Sequence, residues 1–236
     1  TAWKRGYEGI LNAYFGECPE EFMYKGKKYT PKSYVESYKL NPEDYVSLTS
    51  FTHHPFYTKF AVEVCDNWRG DQAYNVPLDE FINAMIYAIE HGYTTTWGGD
   101  VSEAGFTRNG LAVIPDVAAA ASTSGSDQER WVGKADDKKA ETKASSLPKE
   151  ISVTQEYRQN GFDIKTTTDD HGMHAYGIAK DQNGTKYYMV KNSWGENNKY
   201  KGTWYMSEKF IAFKTLNIAI HKDALPKDLK KKLNVK

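Results

Sequence analysis

The chain has 236 residues, 39% hydrophobic and 14% aromatic, which is enough to build one large domain or two small lobes. Its 31 Lys and Arg balance 31 Asp and Glu, so the overall charge gives no reason to expect nucleic acid or an anionic membrane as a partner. No apolar run reaches membrane-spanning length, the first residues carry no signal-peptide pattern, and two cysteines 47 residues apart make neither a disulfide framework nor a zinc pattern.

The opening residues read as a helix with Trp3, Tyr7, Ile10, Leu11 and Tyr14 on one face, stopped by Gly16. Starting on Thr1, inside an amphipathic helix and without an initiator methionine, reads as a processed, cleaved or truncated product. Thr30-Pro31 supplies an N-cap and first helical position, with Tyr34, Val35 and Tyr38 as the expected buried stripe. Tyr45 to Ser50 alternates as a strand leading into Phe51-Thr52-His53-His54-Pro55-Phe56. The strongest helix is expected at about 78 to 91, where Leu78, Phe81, Ile82, Met85, Ile86 and Ile89 recur at the helical period and Gly92 ends it. A strand from Tyr93 to Trp97 then runs into an expected turn at Gly98-Gly99-Asp100.

From Pro115 to Pro148 the chain turns to Ala, Ser, Gly, Asp and Lys with Trp131 as its one large anchor, the pattern of a surface insertion. A short helix near Ser152 to Asn160, closed by Gly161, precedes a β-rich last third. Tyr176 to Ala179 and Tyr187 to Val190 flank Asp181-Gln182-Asn183-Gly184, a hairpin signal. Thr203 to Met206 gives a further strand, Ser207 caps a helix, and Leu216, Ile218 and Ile220 alternate in a last strand. The tail from Lys222 to Lys236 carries six Lys and two Asp and reads as a solvated end. The expected organisation is therefore a mixed portion at 1–114, an insertion at 115–150, a β-lobe at 151–221 and a basic tail at 222–236.

Two histidines lie in Asp170-His171-Gly172-Met173-His174-Ala175, and Asn192-Ser193-Trp194-Gly195 begins 21 residues after the first. With a two-residue hairpin loop, residue 173 or 175 faces Asn192, so His171 shares the face of Asn192 and His174 points through the sheet. A three-residue loop or a bulge reverses that choice. A thiol is a good nucleophile only as thiolate, and an adjacent imidazole that takes its proton holds the ion pair at neutral pH. An asparagine oxygen accepting from the other ring nitrogen fixes the tautomer, and an indole over that bond keeps water out. On spacing alone, the plainer reading is a surface histidine beside a hairpin and an asparagine in a turn-rich loop.

His171-Gly172-Met173, with Gly177 six residues after the histidine, and Tyr187-Tyr188-Met189-Val190-Lys191-Asn192-Ser193-Trp194-Gly195 resemble the histidine and asparagine regions of papain-superfamily cysteine peptidases. That glycine offset fits His171 and not His174. Trp97-Gly98-Gly99-Asp100-Val101-Ser102 and His53-His54-Pro55-Phe56-Tyr57-Thr58-Lys59-Phe60, followed by Asp66-Asn67-Trp68, narrow the resemblance to the bleomycin hydrolase/aminopeptidase C family. The resemblance implies an α+β papain-like fold, here its C-terminal portion with an antiparallel β-lobe and packed helices. It further implies catalytic His171 and Asn192 supported by Trp194, with Gly98, Gly99 and Asp100 lining the cleft. It also implies peptide substrates, no cofactor, a cytoplasmic location and a hexameric ring.

The family's nucleophile precedes the histidine in a Gly-x-Cys-Trp context with a glutamine upstream, and that context is missing here. Cys18 follows a helix in Gly16-Glu17-Cys18-Pro19-Glu20, between acidic neighbours and with a proline blocking a helical start directly behind it, and Cys65 in Val64-Cys65-Asp66 has no following Trp. The expected account is a peptidase portion whose cysteine-bearing segment is missing from the sequence, and which is inactive alone. Two rivals are a peptidase-like binding or structural subunit and a different hydrolase using Cys65 or Cys18 with His54. A metal is not expected at His53-His54, because adjacent histidines diverge and no carboxylate stands at ligand spacing.

Overall fold

Residues 1–116 and 150–236 are described by the computed structural model, which separates Thr1–Glu43 from Asp44–Lys236. The expected insertion, including Trp131, lies almost entirely outside the described residues.

In Thr1–Glu43, helix α1 (Ala2–Phe15) ends where Gly16 takes φ +82 and donates its N–H to Asn12 O. Its apolar stripe is exposed along its length. Strands β1 (Phe22–Tyr24) and β2 (Lys27–Tyr29) pair around Lys25 and Gly26, both at positive φ as a two-residue hairpin turn requires. The sequence reading did not anticipate this hairpin, because three-residue strands leave too little alternation to register. Helix α2 (Pro31–Ser37) starts on a capping box between Thr30 and Ser33. Its expected buried stripe is corrected: Val35 and Tyr38 are exposed, and Tyr34 makes the contact, with the rings of Phe22, Tyr24, Tyr29 and Tyr38 5.1 to 5.4 Å away.

Among its described residues the second unit is organised by a nine-stranded sheet in the order β4-β5-β3-β11-β6-β8-β9-β10-β7. Its strands are β3 (Tyr45–Thr49), β4 (Lys59–Ala61), β5 (Gln72–Asn75), β6 (Thr95–Gly99), β7 (Leu111–Ala112), β8 (His171–Lys180), β9 (Lys186–Lys191), β10 (Thr203–Ser207) and β11 (Thr215–His221). Strands from both sides of 115–150 join this one sheet, so the boundary expected there does not separate two lobes. Pro115 and Glu150 pair in an isolated antiparallel bridge.

Helix α3 (Leu78–Glu90) follows its periodicity, burying Phe81, Ala84, Met85 and Ala88. Each large apolar side chain so buried is worth about 1.5–3 kcal/mol. Helix α4 (Gln155–Asp163), capped by Thr154, runs past the expected stop at Gly161. That glycine stays small because a Cβ would lie 2.5 Å from the Phe213 ring. Arg158 ties α4 down: it is fully buried, donates to Ser50 O (2.7 Å) and Ala212 O (2.8 Å), and lies over the Phe51 ring. Burial pushes its guanidinium pKa down to about 9. Helix α5 (Glu208–Lys214) starts on the Ser207 cap and carries Phe210 and Ile211 into the core shared with α3.

The tail is not a solvated end. Helix α6 (Lys227–Lys232) and its flanks bury Ala224, Leu225, Leu229 and Leu233, while the lysines face outward and Lys232 Nζ meets Glu80 Oε1 at 2.6 Å. Composition hid this because the leucines recur every fourth residue among lysines that dominate the count.

Gly98 and Gly99 are the last residues of β6, not a turn beyond it. A Cβ on Gly99 would fall 2.2 Å from Lys214 O and 2.7 Å from the Trp97 ring, where β11 joins β6 through a register shift. Gly99→Ala is expected to destabilise the chain by about 3 kcal/mol, since backbone cannot move aside as a flexible side chain can. Thermal unfolding of the 236-residue chain checks this, and an unchanged midpoint overturns it.

Candidate active site

Parity across the β8–β9 hairpin decides which histidine meets Asn192, and it arrives by an unexpected route. The hairpin loop has five residues, 181–185, because Asp181 Oδ1 accepts from the N–H groups of Asn183 and Thr185, and Gly184 turns at φ +82. From Lys180↔Lys186 to Gly177↔Met189 this odd loop would put His174 on the Asn192 face. A bulge at Tyr176 shifts the register to Ala175↔Val190 and His174↔Lys191, so His174 is exposed and His171 comes round. The expected two-residue loop is thus corrected, and two departures of opposite parity cancel.

His171 Nε2 lies 2.9 Å from Asn192 Oδ1. The amide is oriented by Ser193 N–H, which donates to the same oxygen at 2.7 Å, and Asn192 is 3% exposed. Since an amide oxygen only accepts, the Nε2 of the neutral imidazole carries the proton and Nδ1 keeps its lone pair. The Trp194 ring stands 4.8 Å from the imidazole, tilted by 41°. Behind it, Trp204 and Phe106 stack on each other, each edge-on to Trp194. Asn197 and Asn198 brace the loop from Trp194 to Thr203, and Gly202 at φ +78 leaves room for Gly195 O, which a Cβ would meet at 2.1 Å.

The approach to His171 is held from the other side. Asp170 accepts from Val101 N–H (2.9 Å) and from the Ser102 hydroxyl, and Asp170 N–H donates to Gly99 O. Asp100, expected in the cleft lining, is instead 2% exposed and accepts from Ser102 N–H, Thr168 N–H and Lys214 Nζ. Lys214, equally buried, also reaches Glu103 Oε2 at 3.1 Å and donates to Thr166 O. Gly98 and Gly99 lie beside Gly172 and His171 on the neighbouring strand, but the space they leave is filled by Asn217 from β11 and by Lys214 O at the end of α5.

Sequence reasoning missed Phe106, Trp204, Asp170 and Lys214, whose roles exist only through contacts far along the chain. It also missed a cavity of about 210 Å³ lined in part by Asp66, Asp71 and Asp169. Burial, and then the Asp66 charge, raise the Asp169 carboxyl above its usual range. Cys18 and Cys65 are both exposed, and the Cys65 thiol hydrogen-bonds no histidine among the described residues. His54 Nε2 is engaged by Glu63 Oε1 at 2.7 Å, which leaves the alternative pairing with Cys65 or Cys18 without support.

The expectation that His53 and His54 diverge, with no carboxylate at ligand spacing, is overturned. Asn75 is fully buried and gathers residues 51–55 into a tight turn: its Oδ1 accepts from Phe51 N–H and its Nδ2 donates to the carbonyls of Phe51 and His54. Both Nε2 atoms then converge on Glu63, His53 at 2.9 Å and His54 at 2.7 Å. Partial burial raises the Glu63 carboxyl, and the hydrogen bonds from His54 and His53 more than offset it, leaving its pKa below the ordinary value.

Among the described residues no helix is long and apolar enough to cross a membrane. The model of the Peptidase C1-like family matches residues 15–136 and 145–236. Aminopeptidase G of Lactobacillus delbrueckii subsp. lactis is 24% identical over 211 residues, covering 86% of this chain and 41% of that protein. Aminopeptidase E of Lactobacillus helveticus is 24% identical over 230 residues, covering 89% of this chain and 45% of that protein. The crystal structure of PepW from Lactobacillus rhamnosis HN001 superposes with a TM-score of 0.66 at 19% identity, over 98% of this chain and 49% of that one. The chain therefore spans less than half the length of these relatives and shares its α+β fold with one of them. On the extent of the family match, the chain belongs to the Peptidase C1-like family of papain-superfamily cysteine peptidases.

Proposed function

We propose that the chain supplies the base and its orienting partner to a cysteine aminopeptidase whose nucleophilic thiol comes from polypeptide outside these 236 residues. The observation that carries this reading is the 2.9 Å bond from His171 Nε2 to Asn192 Oδ1 beneath Trp194. In this assignment His171 Nδ1 accepts the thiol proton, and the thiolate attacks the scissile carbonyl carbon. The imidazolium, held by Asn192 Oδ1, returns the proton to the leaving amine, and water then hydrolyses the acyl-enzyme. The aminopeptidase names of the relatives support trimming from peptide N-termini. A cytoplasmic hexamer belongs to the same proposal by family resemblance. The exposure of Cys65, with no histidine bonded to it among the described residues, supports an external thiol.

The purified 236-residue chain is expected not to hydrolyse aminoacyl-coumarin substrates. A polypeptide extended upstream to include a glutamine followed shortly by Cys-Trp is expected to hydrolyse them and to be silenced by iodoacetamide. Hydrolysis by the 236 residues alone, abolished by His171→Ala, overturns the external-thiol assignment. An extended polypeptide that binds peptides without cleaving them favours the binding-subunit reading.

A further inference from the structure

Among the described residues outside the His171 site, a cluster of ligating side chains is brought together by the fold and unused by the proposed chemistry. One ligand atom from each of His53, His54 and Glu63 lies within 4.8 Å of the other two. We propose that His53, His54 and Glu63 form a binding site for a zinc-type divalent cation.

The donor set is two imidazole nitrogens and one carboxylate, the composition that leaves a fourth tetrahedral position open to solvent or another ligand. Zinc bonds of about 2.0–2.2 Å set ligand-to-ligand edges near 3.3 Å. The two imidazole-to-carboxylate separations, 2.9 Å to Oε2 and 2.7 Å to Oε1, have to open by about half an ångström, and the widest edge of the cluster, at most 4.8 Å, has to close. In the metal-free state each Nε2–H donates to Glu63, which only accepts. Metal binding requires each ring to shift its proton from Nε2 to Nδ1, which frees the Nε2 lone pair for the ion.

The rings are held in advance. His53 stacks on Phe162 at an interplanar angle of 10°, and His54 stacks on Phe60 with centroids 4.2 Å apart. His53 Nδ1 faces the Gln159 amide, whose Nε2 lies 3.0 Å and Oε1 3.4 Å away, while Asp163 and Thr52 N–H anchor that amide from behind. In the metal-free state that amide donates from Nε2 to the Nδ1 lone pair, and once Nδ1 is protonated Oε1, 3.4 Å away, is the acceptor within reach, the outer-shell contact that ligating histidines use to fix their tautomer. Buried Asn75 supplies the remaining rigidity. Histidines and carboxylate come from two loops, so a bound ion would staple residues 51–56 to the chain leaving β4.

The position also relates this site to His171. Leu48, Ile218, Trp97 and Met173 lie in one row across β3, β11, β6 and β8, and both histidine segments continue from the same end of that row. The strands that lead to them stand three steps apart, about 14 Å.

Titration calorimetry of the 236-residue chain with zinc chloride tests the proposal, in a Cys18→Ser/Cys65→Ser background that removes thiol ligands. One zinc per chain is expected, together with a zinc-dependent rise in melting temperature. His54→Gln and Glu63→Gln should each weaken binding by more than about 100-fold, beyond the loss caused by altering an outer-shell partner. Glu63 is half exposed and glutamine can still accept from an imidazole, so Glu63→Gln should lower the metal-free melting temperature only slightly. Cobalt substitution should give visible d–d bands that the same variants lose. Binding that disappears with the cysteines, or that survives both variants, overturns the site.

Discussion

Replacing His171 by alanine in the thiol-bearing polypeptide is expected to lower kcat/KM for an aminoacyl-coumarin substrate by at least about 10³-fold, because both the proton acceptor for the thiol and the proton donor to the leaving amine are lost. The loss should fall mainly on kcat, since the imidazole acts on the reacting atoms. Alkylation separates this from misfolding: with His171 present the nucleophile should react with iodoacetamide well below the pKa of a free thiol, and the variant should lose that reactivity. Asn192→Ala should be milder. A hydrogen bond to a charged group is worth about 1.5–3 kcal/mol, which corresponds to roughly 10- to 150-fold. If His174→Ala gives the large loss and His171→Ala does not, the register argument fails.

Breaking the buried pair of Asp100 and Lys214 is the second large effect. Lys214→Met leaves Asp100 buried with N–H donors but no cation, and loss of one partner from such a pair costs about 3–5 kcal/mol. In a chain of this size that lowers the melting temperature by about 6 to 20 °C. Asp100 and Lys214 also hold Thr166 and Thr168, just ahead of His171, so kcat should fall with stability. Had Asp100 lined the cleft, Asp100→Asn would raise KM and leave unfolding unchanged. Differential scanning calorimetry and steady-state kinetics on the same preparations distinguish the two.

How much of this was legible depended on how far along the chain each contact reaches. Helix α3 was plain because Phe81, Met85 and Ile89 repeat within one element, and β11 was plain because Leu216, Ile218 and Ile220 alternate within one strand. Asn192 and Trp194 were legible as a motif, and His171 through its glycine offset. What failed was long-range or short. The β1–β2 hairpin has too few residues to show a period, and the role of Asp100 requires Lys214, 114 residues later. Glu63 lies only nine residues from His54, but its approach depends on a turn folded around Asn75, which no local pattern announces.

The cancellation at the β8–β9 hairpin constrains how this segment can change length. A single residue gained or lost within 181–185 alters the parity of every β8 position between the turn and His171, exchanging His171 for His174 across the sheet unless the bulge at Tyr176 is lost in the same step. Insertions and deletions there are neutral to the His171–Asn192 pair only in twos, or when loop and bulge change together. The hairpin tip looks like the most permissive kind of surface for drift, yet its length is tied by counting to the placement of one imidazole.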